Sequence, residues 1–205
     1  MPAPPSDPSE LDSSPSPVLL QGSRIQLLQP PPTRAKAVLR YYWENRTHLA
    51  PWSPPHPPGY YSEEFWRHRL AANRAEYLED RSLRLLVASL EDDSIIGNVG
   101  FTEIRRGALQ ACCLGYSVAA TCEGKGFISE ALSLAIPFVF ERLALHRIEA
   151  AYVPHNRRSA RVLERLGFAV EGYAHQYLYI AGEWRDHVLT SLTNPNLSEP
   201  GAATR

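Results

Sequence analysis

LGYSVAATCEGKGFISEAL, residues 114–132, joins an apolar strand to an amphipathic helix through two closely spaced glycines. The first N–H groups of a helix have no partner within it, and the helix dipole places positive charge there. The segment EGKGF, residues 123–127, would therefore present backbone donors to an anion, and a phosphate group is the natural guest. Two glycines before a helix are also typical of a tight turn with a close packing contact, so this stretch alone leaves both interpretations open.

Two familiar phosphate-binding loops do not fit this position. A P-loop requires lysine and then serine or threonine after its second glycine, whereas Phe127 follows Gly126. The dinucleotide fingerprint requires a third glycine or alanine where this chain has Ser129, and the sequence predicts no βαβ unit upstream.

The composition is that of one globular domain without strong charge. The chain has 205 residues, 44% of them hydrophobic, and a formal charge of −1, which disfavours nonspecific binding to DNA. No apolar run approaches the roughly 18 residues of a membrane span, and the N-terminus lacks a signal-peptide pattern, so we expect a cytoplasmic protein without a membrane partner. Cys112, Cys113 and Cys122 lie too close together for a disulfide framework and lack zinc-ligand spacing, so no metal is expected.

The chain divides into three parts. Residues 1–22 carry six prolines and predict a disordered tail, residues 23–196 predict the folded domain, and residues 197–205 a flexible C-terminus. Strands are expected over residues 23–28, 83–90, 95–105, 108–118, 147–153, 169–180 and 183–192. Helices are expected over about residues 34–48, 62–79 and 157–166, and after Gly126, where Pro137 should kink the helix or end it early.

This order of elements resembles that of the GNAT superfamily of acetyl-CoA-dependent N-acetyltransferases. The superfamily signature Q/R-x-x-G-x-G/A is matched from Thr121 to Gly126, except that threonine occupies the Gln/Arg position. The downstream N-x-x-A/S is matched by Asn156 and Ser159, and a Gly-Phe pair follows at positions 167 and 168. The resemblance implies an α/β (α+β) GNAT fold, with a mixed, mostly antiparallel central sheet of about seven strands and helices on both faces.

Short segments narrow the resemblance to the branch that acetylates N-terminal residues of ribosomal proteins. They include SEAL, HRIEA, YVPHNRRS, LERLGF and EWRDHVL, and the similarity covers about residues 25–195. The implied acceptor is the N-terminal alanine α-amine of a small-subunit ribosomal protein, and the implied partners are that N-terminus and the small ribosomal subunit. Two alternatives stay open: a small amine such as a polyamine or an antibiotic as acceptor, and a ribosome-associated assembly factor whose basic residues 157–165 contact RNA.

The resemblance also implies how acetyl-CoA, the cosubstrate, is held. Its pyrophosphate would lie on the backbone N–H groups of Glu123, Gly124, Lys125, Gly126 and Phe127. Its pantetheine arm would pair with the strand near Ser117 and Val118. Asn156 would hydrogen-bond to the same arm, although it is equally suited to capping the helix that follows.

The implied chemistry is direct attack of a neutral amine on the thioester, after which the CoA thiolate takes up a proton. Many relatives use a tyrosine seven residues after the motif asparagine as the acid. Leu163 stands there in this chain, so the acid is assigned to Ser159, at the +3 position. An α-amine, with a pKa near ~7.7 to 8, needs only a weak base, and the base is left unassigned. The acceptor-binding residues are predicted to be Trp52, Glu103, Tyr116 and Tyr177.

Overall fold

The computed structural model describes residues 18–197, whose strands form one open sheet. The strands are β1 (Val18–Gln21), β2 (Ile25–Leu28), β3 (Leu83–Ser89), β4 (Ile95–Arg105), β5 (Ala111–Val118), β6 (Arg147–Tyr152), β7 (Ala169–Ile180) and β8 (Glu183–Thr193). Their order across the sheet is β1-β2-β3-β4-β5-β6-β8-β7. Neighbouring strands are antiparallel except for β5 and β6, which are parallel, so the expected mixed, mostly antiparallel sheet is confirmed.

β1 makes the sheet eight-stranded instead of about seven-stranded. The tail predicted over residues 1–22 overlaps β1, so its boundary is wrong at residues 18–21, while residues 1–17 and 198–205 lie outside the described residues. The prolines upstream obscure the short apolar run Val-Leu-Leu at 18–20. The Gly22 N–H donates to the Ile25 carbonyl at 2.8 Å across the turn, and Leu20 packs on the main core.

Helices cover both faces of the sheet, as expected. They are α1 (Ala35–Glu44), α2 (Arg46–Leu49), α3 (Glu63–Leu78), α4 (Phe127–Arg142) and α5 (Arg157–Arg165). Successive residues of a strand point to opposite faces, so β3 contributes to two cores. Leu85 and Val87 join the core that includes α4, whereas Leu86 and Ala88 join the core that includes α1 and α3.

α4 continues through Pro137 to Arg142, so the expected early end is wrong. A proline inside a helix removes one backbone donor and costs about 3 kcal/mol. Ile136 and Val139 are buried beside it in the main core, and burying each large aliphatic side chain stabilises by about 1.5–3 kcal/mol. Packing therefore outweighs the local cost. The helix expected over residues 34–48 is instead divided at Asn45 into α1 and α2.

The parallel strands β5 and β6 separate halfway along their length. They pair from Ala111 with Arg147 to Leu114 with Ala150, and no β6 partner follows for the last four residues of β5. On its other edge β5 stays paired with β4 as far as Val118. The backbone from Gly115 to Val118 thus has one free edge, at the place where the glycine loop begins.

Candidate functional site

A cavity of about 590 Å³ fills the separation between β5 and β6. Its walls are Leu114 to Val118 of β5, Ala150 to Tyr152 of β6 and the inner side of α5. Gly124 and Gly126 of the glycine loop, and Trp52 and Ser53 of the segment between α2 and α3, also belong to its lining. This volume lies within the range of about 300–1,000 Å³ that small-molecule and cofactor sites occupy.

The glycine loop adopts the backbone shape that its sequence predicts. Gly124 and Gly126 have φ angles of +71° and +81°, in the left-handed region that favours glycine. Gly126 is the N-cap of α4, and no side chain caps the helix there. The first N–H groups of α4 are therefore left for an outside acceptor.

Side chains from distant segments hold this loop in place. Arg24 Nη1 donates to the Lys125 carbonyl at 3.0 Å, and the Arg24 guanidinium lies 4.5 Å above the Phe127 ring. Asn45 Oδ1 accepts from the Ala120 N–H at 2.9 Å, just before the loop. Lys125 and Phe127 do not line the cavity, so their predicted contribution through backbone N–H groups stays a prediction.

Positively charged side chains of α5 line the same cavity. Arg158, Arg161 and Arg165 of α5 line it. Arg158 Nη1 donates to both carboxylate oxygens of Glu123, at 2.5 and 2.6 Å, and His48 Nε2 lies 3.6 Å from that carboxylate. Backbone donors and two further arginines therefore remain for an anion, and this donor set fits the phosphate groups of CoA.

Ser117 is fixed by a polar network on the other side of β5. Its Oγ accepts from Asn98 Nδ2 at 2.5 Å and lies 2.8 Å from Tyr41 Oη. Burial raises the pKa of Tyr41, so this phenol stays protonated. Because the hydroxyl of Ser117 is engaged, Ser117 and Val118 offer the cavity their backbone, in keeping with the predicted pairing with a pantetheine arm.

Ser159 and Tyr116 meet inside the cavity. Tyr116 Oη lies 2.8 Å from Ser159 Oγ, and both residues belong to the lining. Burial raises the pKa of Tyr116 to about 12, so its phenol remains a proton donor at neutral pH. Asn156 Oδ1 accepts from the Ser159 N–H at 3.1 Å, which confirms its capping role and fixes the first turn of α5.

The proline loop and the β7–β8 hairpin meet at the cavity. The Ala181 N–H, in the hairpin turn, donates to the Ser53 carbonyl at 3.0 Å. Trp52 lines the cavity with its ring centroid 5.5 Å from that of His155. Trp52 thus belongs to the cavity lining, and its role in acceptor binding stays a prediction.

Two predicted acceptor residues lie outside the cavity lining. Glu103 has a φ of +53° on a bulge of β4, and its Oε2 accepts from Cys113 Sγ at 3.5 Å, on the paired part of β5 and away from the glycine loop. The bulge and the pairing register thus leave Glu103 outside this cavity, and its role in acceptor binding stays a prediction. Tyr177 lies on a bulge of β7, is 46% exposed, and touches the site only through a 5.7 Å ring contact with His187.

His187 of β8 is a cavity residue that the sequence analysis did not select. It is 4% exposed, and its Nδ1 lies 2.9 Å from the Arg185 carbonyl. A carbonyl only accepts, so the proton is assigned to Nδ1 and Nε2 is left as an acceptor. Its only signal in the sequence is a polar residue in the middle of a strand, which does not show that the ring reaches the cavity.

The cysteines do not support a covalent acyl-enzyme. None of them lines the cavity. Burial raises the pKa of Cys112 to about 12 and that of Cys113 to about 11, so neither thiolate forms readily at neutral pH.

Among residues 18–197, no group of three or more His, Cys, Asp or Glu side chains is arranged to hold a metal ion. The same part of the chain contains no helix with the length and apolar character that crossing a membrane requires.

Comparison with known proteins gives consistent similarities. A family model described as an acetyltransferase (GNAT) domain matches residues 24–169. The [Ribosomal protein uS5]-alanine N-acetyltransferase of Escherichia coli is 42% identical over 156 residues, which cover 76% of this chain and 80% of that protein.

Solved structures agree with the sequence matches. The ribosomal-protein-S5-alanine acetyltransferase of Vibrio fischeri superposes with a TM-score of 0.84 at 35% identity, covering 88% of this chain and 98% of that one. Mycobacterium smegmatis RimJ in complex with CoA-disulfide superposes with a TM-score of 0.78 at 30% identity, covering 86% and 85%.

Proposed function

This chain belongs to the GNAT acetyltransferase family, and from that premise we propose that it acetylates the N-terminal alanine α-amine of a small-subunit ribosomal protein. Acetyltransferases of this family use acetyl-CoA. The observation that carries the proposal is that the glycine loop and the Ser159–Tyr116 pair line the same cavity, the one between β5 and β6. The alanine acceptor is inferred from the activity for which the E. coli and V. fischeri relatives are named. Such a substrate places the reaction in the cytoplasm.

The chain would hold acetyl-CoA mainly through backbone groups. The N–H groups of Gly124, Lys125, Gly126 and Phe127 bind the pyrophosphate, and Arg161 and Arg165 offer charge to the remaining phosphate. The free edge of β5 at Ser117 and Val118 binds the pantetheine arm by strand pairing. Once bound, acetyl-CoA supplies a thioester whose acetyl group is transferred.

Ser159 acts as the acid in this proposal. Its hydroxyl donates a proton to the sulfur that leaves the acetyl group. Tyr116, 2.8 Å away and still protonated at neutral pH, can return a proton to Ser159. The cap from Asn156 holds Ser159 in one position through the cycle.

His187 acts as the acceptor of the amine proton. Among the described residues that line the cavity, Glu123 is the only carboxylate, and Arg158 occupies both of its oxygens. His187 Nε2 has no such partner among the described residues, and with the proton on Nδ1 it is the ring nitrogen that can accept one. The amine gives a proton to Nε2, its nitrogen bonds to the carbonyl carbon, the C–S bond breaks, and Ser159 protonates the sulfur.

The basic helix α5 favours the enzyme over the RNA-binding alternative. Arg158 is paired with Glu123, and Arg158, Arg161 and Arg165 all line the cavity. These charges are thus accounted for by an anionic cosubstrate without any contact to RNA.

The α-amine is also the less costly acceptor. At pH 7 an α-amine with a pKa near ~7.7 is presented neutral for about 1 kcal/mol, whereas a lysine amine near ~10.4 requires about 4.6 kcal/mol. A cavity whose proton acceptor is an imidazole therefore suits an N-terminus better than a lysine side chain or a polyamine.

A peptide panel tests the proposal. The purified chain is incubated with acetyl-CoA and an alanine-starting peptide that also contains lysine, with the same peptide blocked at its N-terminus, and with spermidine. We expect one acetyl group, placed on the α-amine by fragmentation mass spectrometry, and no turnover of the blocked peptide. A higher kcat/KM for spermidine, or acetylation of lysine in the blocked peptide, would contradict the proposal.

A further inference from the structure

A second cavity, which we term the α3 cavity, lies on the sheet face that carries α1 and α3, opposite α4. Its volume is about 340 Å³, near the lower end of the range for small-molecule sites. Its lining includes Tyr42, Tyr60, Trp66, Arg69, Asn73 and Arg84. None of these residues lines the cavity between β5 and β6.

Aromatic rings form a flat, well-supported wall of the α3 cavity. Tyr42 and Trp66 are stacked, with ring centroids 4.4 Å apart and planes only 6° from parallel. Tyr60 packs edge-on against both rings, at 5.4 and 5.0 Å. Such a wall favours a ligand with a flat apolar body.

Three polar atoms of this lining have no hydrogen-bond partner within the described protein. They are Trp66 Nε1, Asn73 Oδ1 and Arg84 Nε. Trp66 is 7% exposed and Asn73 is 8% exposed, so both are more than nine-tenths buried. A buried polar atom without a partner is costly, and three in one cavity indicate a ligand with polar atoms of its own. The amide of Asn73 can also be turned to offer its NH₂, so all three residues can act as donors.

The α3 cavity has more positive than negative charge. Arg69 binds Glu76 through Nη1 at 3.0 Å and Nη2 at 3.1 Å. Arg84 Nε lies 3.7 Å from the same carboxylate, which is within ion-pair range but too long for a hydrogen bond. Glu76 also accepts from Ser82 Oγ at 2.7 Å, so one carboxylate serves two guanidinium groups.

The titration of the neighbouring groups agrees with this excess of positive charge. Burial, followed by the charge of Arg69, lowers the pKa of Arg84. Burial raises the pKa of Tyr42 to about 12 and also raises that of Tyr60, so neither phenol supplies a negative charge at neutral pH.

We propose that the α3 cavity binds a small monocarboxylate with a flat apolar body. The carboxylate accepts from Arg84 Nε and Trp66 Nε1 and neutralises the second guanidinium, while the body lies along the aromatic wall. Asn98 links the α3 cavity to β5, the strand proposed to bind the pantetheine arm. Its Nδ2 donates both to Tyr42 Oη at 3.1 Å and to Ser117 Oγ at 2.5 Å.

The test uses benzoate as the probe and the full chain saturated with CoA, so that the cavity between β5 and β6 is occupied. Isothermal titration should show saturable binding of one benzoate per chain. Benzamide, which has the same shape without the charge, should bind at least tenfold more weakly. Absence of saturable benzoate binding, or equal affinities for benzoate and benzamide, would overturn the proposal.

Variants place the probe in the α3 cavity. Arg84→Met should weaken benzoate binding at least tenfold, and Trp66→Phe, which keeps an aromatic ring at this position but removes the N–H donor with part of the indole, should weaken it about threefold to tenfold. Arg81→Met, at an exposed arginine paired with Glu79, is the matched control and should change nothing. If Arg84→Met fails to fold, Trp66→Phe decides, and wild-type benzoate affinity in Trp66→Phe would refute the site.

Discussion

Gly124→Ala tests the anion-binding loop, and Gly107 in the turn between β4 and β5 provides a matched control. Their φ angles are +71° and +72°, and a Cβ atom added at either position meets nothing within 4 Å. The backbone strain of an L-residue there is about 1–2 kcal/mol in both variants. Because each kcal/mol lowers the Tm of a domain of this size by about 2–4 °C, both variants should melt about 2–8 °C lower.

The two variants should differ in their affinity for CoA. Gly124 lines the cavity between β5 and β6, whereas Gly107 does not. A methyl group at Gly124 therefore projects where the pyrophosphate is expected to lie and displaces at least one hydrogen bond to a charged group, worth about 1.5–3 kcal/mol. This corresponds to roughly ten- to hundred-fold weaker binding. Isothermal titration with CoA, at a temperature where both variants are folded, should show this loss for Gly124→Ala and wild-type affinity for Gly107→Ala. Equal affinities in the two variants would refute the reasoning.

Three further predictions concern the acid, the base and the N-terminal support of the glycine loop. Ser159→Ala should lower kcat by about 10²–10⁴ with acetyl-CoA affinity within about twofold, and full activity across pH in steady-state assays would remove Ser159 from the acid role. His187→Gln should lower kcat/KM for an alanine-starting peptide by up to about tenfold at pH 7, because about one in ten α-amines with a pKa near 8 is neutral there. His187→Asn, which keeps the bond to the Arg185 carbonyl, should have the same effect. A loss confined to CoA binding would contradict the role of His187 as proton acceptor. Burial raises the pKa of Glu130, but hydrogen bonds from Arg24 and Ser23 lower it by more, so the net pKa lies below the usual value of 4.5. Chemical denaturation should therefore show the wild type more stable than Glu130→Gln above about pH 5, with the difference lost as the pH falls through the folded pKa, and a difference constant over pH would count against this contribution.

The backbone shape of the glycine loop was predictable because its physical requirements appear directly in the residue types. Left-handed backbone at positions 124 and 126 requires glycine, and the cap on α5 requires a short polar side chain at position 156. Both signals are local in sequence. The assignment of Ser159 depended on the same short motif, and the structure places it 2.8 Å from Tyr116 in the cavity lining.

The features that sequence patterns missed depend on register and on contacts between distant segments. Glu103 lies close to a turn in sequence, but a bulge in β4 carries it away from the cavity. His187 reaches the cavity only because β8 pairs with β6. The α3 cavity combines residues of α1, α3, β3 and β4, and no local pattern indicates that Trp66, Asn73 and Arg84 leave polar atoms unpartnered together. β1 was missed because the proline-rich composition of residues 1–22 as a whole masked the strand-forming character of its last few residues, Val18–Gln21.

Intact-mass analysis of ribosomal proteins tests the central claim most directly. Ribosomes are purified from cells with the chain, without it, and with its Ser159→Ala variant. We expect one alanine-starting small-subunit protein to lose the mass of a single acetyl group when the chain is absent, and to regain it with the wild type but not, or only partly, with the variant. Identical masses for every ribosomal protein with and without the chain would contradict the claim.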